Sequence, residues 1–230
     1  DGRLVKAGGN VVKNVAGYDL GKLVSGSFGS LAAIVSATFK LLPVPVSSET
    51  LSAAFQDRDA VAAAVARLTD SQLDPTAMEL HATHGPNRGA TYRLLVRFAT
   101  SPAAAAAQVE QARALTGGGE VISADAETAL WRRYHGRTLV SAGTLVRMTW
   151  LPAALPHVLA LVEEIARSAG SAELVARAAV GMGLFRIDGG VDFQASAVDR
   201  LRARADTVRH VTIQDAPPEV KANVDPWGPP

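Results

Sequence analysis

Residues 91–123, TYRLLVRFATSPAAAAAQVEQARALTGGGEVIS, hold three patterns in a row. Thr91–Ala99 alternates apolar and polar residues, the two-residue period of a strand with one buried face. Ser101 then offers a hydroxyl at a helix start, and Pro102 sits in the first turn, where its missing N–H costs nothing. Pro102–Leu115 is rich in alanine, the best helix former. Gly117, Gly118 and Gly119 stop that helix, and Glu120–Ser123 returns to a strand. The stretch therefore reads strand, helix, strand.

Working outward, the same grammar continues. Upstream lie a strand at Leu51–Phe55, a helix over Asp57–Leu68 with Asp57 or Asp59 as its cap, and a strand over Thr76–Ala82. Together they give βαββαβ. Downstream, Asp125–Tyr134 reads as a linking helix. A second series follows: strand Thr144–Trp150, helix Pro152–Ser168, strands Glu173–Val180 and Leu184–Asp188, helix Val191–Ala205 and strand Val208–Ile213. That is βαββαβ again, in element order but without a repeat of sequence. The predicted fold class is α+β, with two such units joining antiparallel sheets edge to edge and helices covering one face.

The opening segment differs. Residues 3–12 and 31–42 read as strands, with a short helical turn over Tyr18–Leu23 between them. Pro43–Ser48 is stiff enough to mark a domain boundary. The expected division is 1–46 and 47–230. The chain starts on Asp-Gly without Met and closes on DPWGPP with Trp227 expected exposed, so it reads as a piece truncated at both ends.

Composition narrows the function classes. Hydrophobic residues at 48% support a packed core, and 23 Lys+Arg against 22 Asp+Glu leave a net charge of +1. That balance lacks the basic footprint of a nucleic-acid binder. There is no cysteine, which removes disulfides, thiolate chemistry and cysteine-held metal clusters. No apolar run reaches the ~20 residues of a spanning helix.

Between the first two predicted strands runs KNVAGYDLGKLVSGSFGSLAAI, residues 13–34. Glycine admits positive φ and close approach of a ligand to backbone. Successive amides in such turns make nests for anions such as phosphate. Gly26 and Gly29 suit the turn, and Ser27 and Ser30 suit hydroxyl donors. On spacing alone a structural turn between two strands explains it equally well.

The order Lys13, Asn14, Gly17, Tyr18, Asp19, Leu20, Leu23, Gly26, Ser27, Gly29, Ser30, Leu31, Ile34 resembles FAD-linked oxidases of the vanillyl-alcohol oxidase type. Within them it is most similar to the smaller FAD-binding subunit of glycolate oxidases. The later ALWRRYHG (129–136), VGMGLFRI (180–187) and VDPWGPP also look like that subunit. The resemblance implies that residues 1–46 are the last part of an FAD-binding domain and that residues 47–230 are a cap domain lacking its end. FAD would be held by Asn14, Gly17, Tyr18, Asp19, Gly26, Ser27, Gly29, Ser30, Leu31, Ala32 and Ile34. Ala32 stands where the family has a third glycine.

The implied reaction is hydride transfer to flavin from glycolate or a similar small 2-hydroxy acid. The implied partners are a larger flavoprotein and an iron–sulfur subunit, with no nucleic acid. The implied place is the cytoplasm, or the periphery of the inner membrane by way of partner subunits. Metal-using relatives carry a His-rich cap strand, but Gly181–Arg186 has no histidine, so no metal is expected. The alternatives are a stand-alone flavin oxidase of another alcohol or sugar acid, and a non-catalytic α+β interaction module.

Guanidinium grips carboxylates bidentately, which makes Arg147 and Arg186 candidates for binding an organic acid. Catalytic residues are not assigned. His81 and His84 are expected to be exposed on a strand-to-loop segment. The cluster Trp131, Arg132, Arg133, Tyr134 and His135 reads either as facing the flavin or a partner, or as a capped helix end with cationic residues near its C-terminus.

Overall fold

Alternation and capping set the elements where the sequence places them. The computed structural model describes residues 2–9, 18–85, 89–137 and 143–228. It divides into two units, Asp1–Val44 and Pro45–Pro230.

Among the described residues of the first unit the one regular element is the short helix α1, Leu20–Val24. The expected strands are absent among the described residues: 3–9 and 31–42 are irregular, and 10–12 lie outside the described residues. Leu31, Phe39 and Leu42 are exposed. A strand needs a neighbour to take its N–H and C=O groups, and no described segment pairs with this one. The β-branched, apolar composition alone could not supply that partner.

The second unit follows the sequence reading closely. Its first half contains β1 (Ser47–Phe55), α2 (Arg58–Thr69), β2 (Ala77–His84), β3 (Thr91–Thr100), α3 (Pro102–Thr116) and β4 (Glu120–Ser123). Helix α4 (Ala124–Arg137) links to a second half of β5 (Thr144–Thr149), α5 (Leu155–Ala166), β6 (Ala172–Arg177), β7 (Met182–Ile187), α6 (Val191–Ala203) and β8 (His210–Asp215). A short helix unforeseen in the sequence, α7 (Pro218–Asn223), comes last. Asp57 caps α2 by accepting from the Ala60 amide at 2.7 Å. Gly117 ends α3 in the left-handed region at φ 78°, and the Gly118 amide reaches back to the Arg113 carbonyl.

All strands join one eight-stranded sheet in the order β4-β1-β3-β2-β6-β7-β5-β8. Every pairing is antiparallel. Each half has the same internal order, and the second strand of one half pairs with the second strand of the other, Glu79 opposite Arg177 and His84 opposite Ala172. The sheet thus reads the same from either edge, as an edge-to-edge join of two like units requires.

Side-chain alternation splits the sheet into two faces. Leu80, Leu94, Val96, Leu174, Phe185 and Val146 enter the main core with Val65 of α2, Val109 of α3, Leu159 of α5 and Val198 of α6. Leu95, between two of those residues, points the other way and meets Trp131 and Tyr134 of α4. The two trailing helices therefore differ. Helix α4 lies on the open face of the first half, whereas α7 packs beside α6. No helix among the described residues is long and apolar enough to cross a membrane.

Candidate functional site

The described residues among those the sequence nominates lie in two places, one in each unit, and each place is described by itself.

In the first unit Asp19 caps α1, accepting from the Lys22 amide at 3.2 Å and pairing with its ammonium at 3.1 Å. The Lys22 amide, and then its side chain, hold the Asp19 carboxyl below the usual carboxylate range. The chain then turns twice. Gly26 has φ 82° and Gly29 φ 78°, with Phe28 between them at φ 51°. Both glycines are needed for conformation, since no heavy atom lies within 4 Å of where either Cβ would stand. The Ser27 amide donates to the Val24 carbonyl, and the Ser30 amide and hydroxyl both return to the Ser27 carbonyl, the hydroxyl at 2.6 Å.

So Ser30, read as a ligand donor, is used to close the turn. Tyr18, Leu31, Ala32 and Ile34 are exposed, and Ala32 lies in irregular chain. Asn14 and Gly17 lie outside the described residues. With the Ser27 and Ser30 amides and the Ser30 hydroxyl spent inside the turn, what the turn offers a ligand is open space beside two positive-φ glycines.

In the second unit the open sheet face carries the polar residues. The registers align Arg93 of β3, His81 of β2, Val175 of β6, Leu184 of β7, Arg147 of β5 and Thr212 of β8 across it. The next row sets Thr83 against Glu173 and Glu173 against Arg186. His81 is only 8% exposed, and its Nε2 meets Glu173 Oε1 at 2.6 Å. The other Glu173 oxygen faces Arg186 Nη1 at 3.5 Å. Arg186 is thus tied to a carboxylate on the neighbouring strand β6. Arg147 differs: it is exposed, and its Nη2 lies 3.3 Å from Met182 Sδ.

Under α4 the face is more enclosed. Buried Glu127 accepts from Ser48, from Thr50 Oγ1 at 2.6 Å and from Arg97 Nε at 3.1 Å. Trp131 Nε1 donates to the same Thr50 hydroxyl at 2.9 Å, and the Arg97 guanidinium sits 5.8 Å from the Trp131 ring. Tyr134 donates to Glu79 at 2.9 Å. Burial raises the Glu79 carboxyl, opposed by the Tyr134 and Arg177 contacts. Burial, with Glu79 beside it, also drives the Tyr134 hydroxyl well above its usual range. The His135 ring is tilted against Trp131 at a centroid distance of 5.8 Å and meets Tyr134 edge-on at 5.9 Å.

The expectation that His81 and His84 are exposed fails. Both lie in β2, and both ring nitrogens of His84 are buried without a hydrogen-bond partner. Among the described residues no group of three or more His, Cys, Asp or Glu side chains is placed to hold a metal ion. Sequence reasoning also missed Glu173 and Glu127. Alternation in AMELHATH already placed Glu79 and His81 on one face, but their partners come from distant segments, and pairing over such separations leaves no local signal.

An α+β unit with a two-faced antiparallel sheet, preceded by a glycine-serine turn, is the class these observations define. No family model matches the chain. Among curated proteins it is similar to glycolate oxidase subunit GlcD of Bacillus subtilis, 37% identical over 79 residues, which is 34% of this chain and 17% of that protein. It is similar to glycolate oxidase subunit GlcE of Escherichia coli, 36% identical over 74 residues, 32% of this chain and 20% of that protein. It also matches a D-lactate dehydrogenase of Archaeoglobus fulgidus, 49% identical over 43 residues, 19% of this chain and 10% of that protein. Over that partial stretch the chain is related to FAD-linked oxidases of the glycolate oxidase kind. The matched stretches span a fifth or less of each relative's length.

Proposed function

We propose that the chain is part of an FAD-dependent oxidoreductase that oxidises glycolate or a similar 2-hydroxy acid. The observation that carries this reading is the ordered set of residues from Lys13 to Ile34, whose described part forms a tight turn on two positive-φ glycines. The names of the relatives, FAD-linked oxidoreductases and glycolate oxidase subunits among them, support FAD as the cofactor. In this reading residues 1–46 belong to an FAD-binding part and residues 47–230 to a cap.

Backbone from Gly26 to Ala32, with Asn14, Gly17, Tyr18, Asp19 and Ile34, would hold the cofactor. Bound flavin supplies the acceptor for the hydride from the acid's α-carbon. Arg147 would grip the substrate carboxylate, because its guanidinium is exposed on the open face and no carboxylate pairing with it is seen among the described residues. Arg186 would act beside it, fixed by Glu173. The subunit names of two relatives support a multisubunit complex, with a larger flavoprotein and an iron–sulfur protein as the proposed partners.

The test is made on the full-length protein. Copurifying flavin, seen in its visible absorbance bands, is the expected result. Colourless protein that also fails to take up added FAD overturns the reading. One observation favours a second reading, a non-catalytic partner module: β7, which spans Met182–Ile187, carries no histidine. Unchanged flavin content and turnover in a Gly29→Val complex would support it.

A further inference from the structure

An antiparallel sheet with one wet face carries polar residues on that face. Helix α4 and its aromatic cluster occupy the open face of the first half and reach as far as Val175 of β6. Beyond Val175 stand β7 and β5, and their open face is mixed. The register sets Leu145 against Arg186 and Arg147 against Leu184, so two leucines and two arginines alternate at the corners of one block. Residues directly opposite have Cβ atoms roughly 4.5–5.5 Å apart, and diagonal neighbours lie roughly 7–8 Å apart. A single small molecule spans such a block.

The two leucines are not core residues. Both are half-buried, and neither joins a hydrophobic cluster of the described residues. The two arginines differ in how their charge is met. Arg186 lies 3.5 Å from the Glu173 carboxylate. Arg147 is exposed, its Nη2 lies beside the Met182 sulfur, and no carboxylate pairs with it among the described residues. The block therefore shows one cation in want of an anion, next to aliphatic surface. The other flank of Arg147 is polar: Thr212 stands directly opposite it on β8, and Thr149 is two residues along β5. An acid held at Arg147 thus has hydroxyls on one side and Leu184, Leu145 and Met182 on the other.

We propose that this face selects a 2-hydroxy monocarboxylic acid with an aliphatic side chain, its carboxylate on Arg147 and its side chain over Leu184 and Leu145. The inference rests on the reading of Arg147 as the grip on a substrate carboxylate, and it narrows the acid. Glycolate has no side chain to cover the leucines. A dicarboxylate brings a second charge. That charge must either compete with Glu173 for Arg186 or lie on leucine, and an unpaired carboxylate set against apolar surface is unfavourable.

The experiment compares kcat/KM for glycolate, racemic 2-hydroxyisocaproate and racemic 2-hydroxyglutarate on the full-length, flavin-loaded protein. Alongside, titration calorimetry measures the binding of isocaproate, which has no hydroxyl to oxidise. 2-Hydroxyisocaproate should exceed both other acids at least about tenfold. Leu184→Thr keeps a residue that suits a strand and removes apolar surface. It should lower the isocaproate affinity, and the 2-hydroxyisocaproate-to-glycolate ratio, at least about fivefold. Leu145→Thr makes the same test if Leu184→Thr fails to fold. A preference for glycolate or 2-hydroxyglutarate overturns the inference and leaves the oxidase reading in place. Isocaproate binding that the leucine variants weaken, in a protein that oxidises none of the three acids, removes the oxidase reading and upholds the binding face. Affinity and ratio indifferent to both leucine variants overturn it.

Discussion

Gly29 and Gly26 hold conformations that a side chain resists. A left-handed φ costs an L-residue roughly 1–2 kcal/mol. Gly29→Val should therefore reshape the turn and lower the flavin content of the intact protein, read as the flavin-to-protein absorbance ratio after gel filtration. Arg147→Gln tests the acid grip. Loss of a charged hydrogen bond of about 1.5–3 kcal/mol should raise KM for the 2-hydroxy acid roughly 10- to 100-fold and leave the melting temperature nearly unchanged. A parallel fall in stability would assign Arg147 to the fold instead. His84 makes a prediction about pH. Burial lowers its pKa below the ordinary 6.5, so the folded protein refuses a proton that the unfolded chain accepts. Stability should fall as pH drops from about 6.5 towards the lower folded value, and His84→Phe should flatten that part of the Tm–pH curve.

One buried carboxylate, Glu127, gathers three of the polar groups beneath helix α4. Glu127→Ala removes the acceptor that Ser48, Thr50 and Arg97 share, at a cost of about 2 kcal/mol, most of it at buried Thr50. The expected outcome is a lower melting temperature with a red shift of Trp131 emission, since that indole borrows its partner, Thr50, from the same cluster. Elements such as α3 were legible in the sequence because their signals are local: Pro102 at one end, Gly117 at the other. The run at 31–42 was not. Its composition suits a strand, but a strand exists only against a partner, and composition does not name one. The candidate turn was legible for a similar reason, since Gly26 and Gly29 mark their own backbone. The tie between His81 and Glu173 was hidden, because it joins residues 92 apart.

Across the whole sheet the two halves meet on both faces. On the core side, Arg58 of α2 pairs with Glu163 of α5 at 2.8 Å, and Tyr92 of β3 donates to the same carboxylate. Glu163→Ala leaves the Tyr92 hydroxyl without its partner and Arg58 with Asp59 alone, and should cost about 2 kcal/mol, less than a fully buried pair because Arg58 is partly wet. Chemical denaturation of this variant should broaden or split as the halves lose their coupling, whereas a sharp, merely shifted transition would show that β2 and β6 alone keep them together. The β2–β6 join also has a consequence in time. Each half closes its own strands, but β2 must wait for β6. At synthesis rates of roughly 5–20 residues per second, the 92 residues from His81 to Glu173 take roughly 5–20 s to emerge. For that interval the newborn first half offers an open strand to whatever is nearby, and a chaperone or a neighbouring nascent chain meets the protein there before its own second half does.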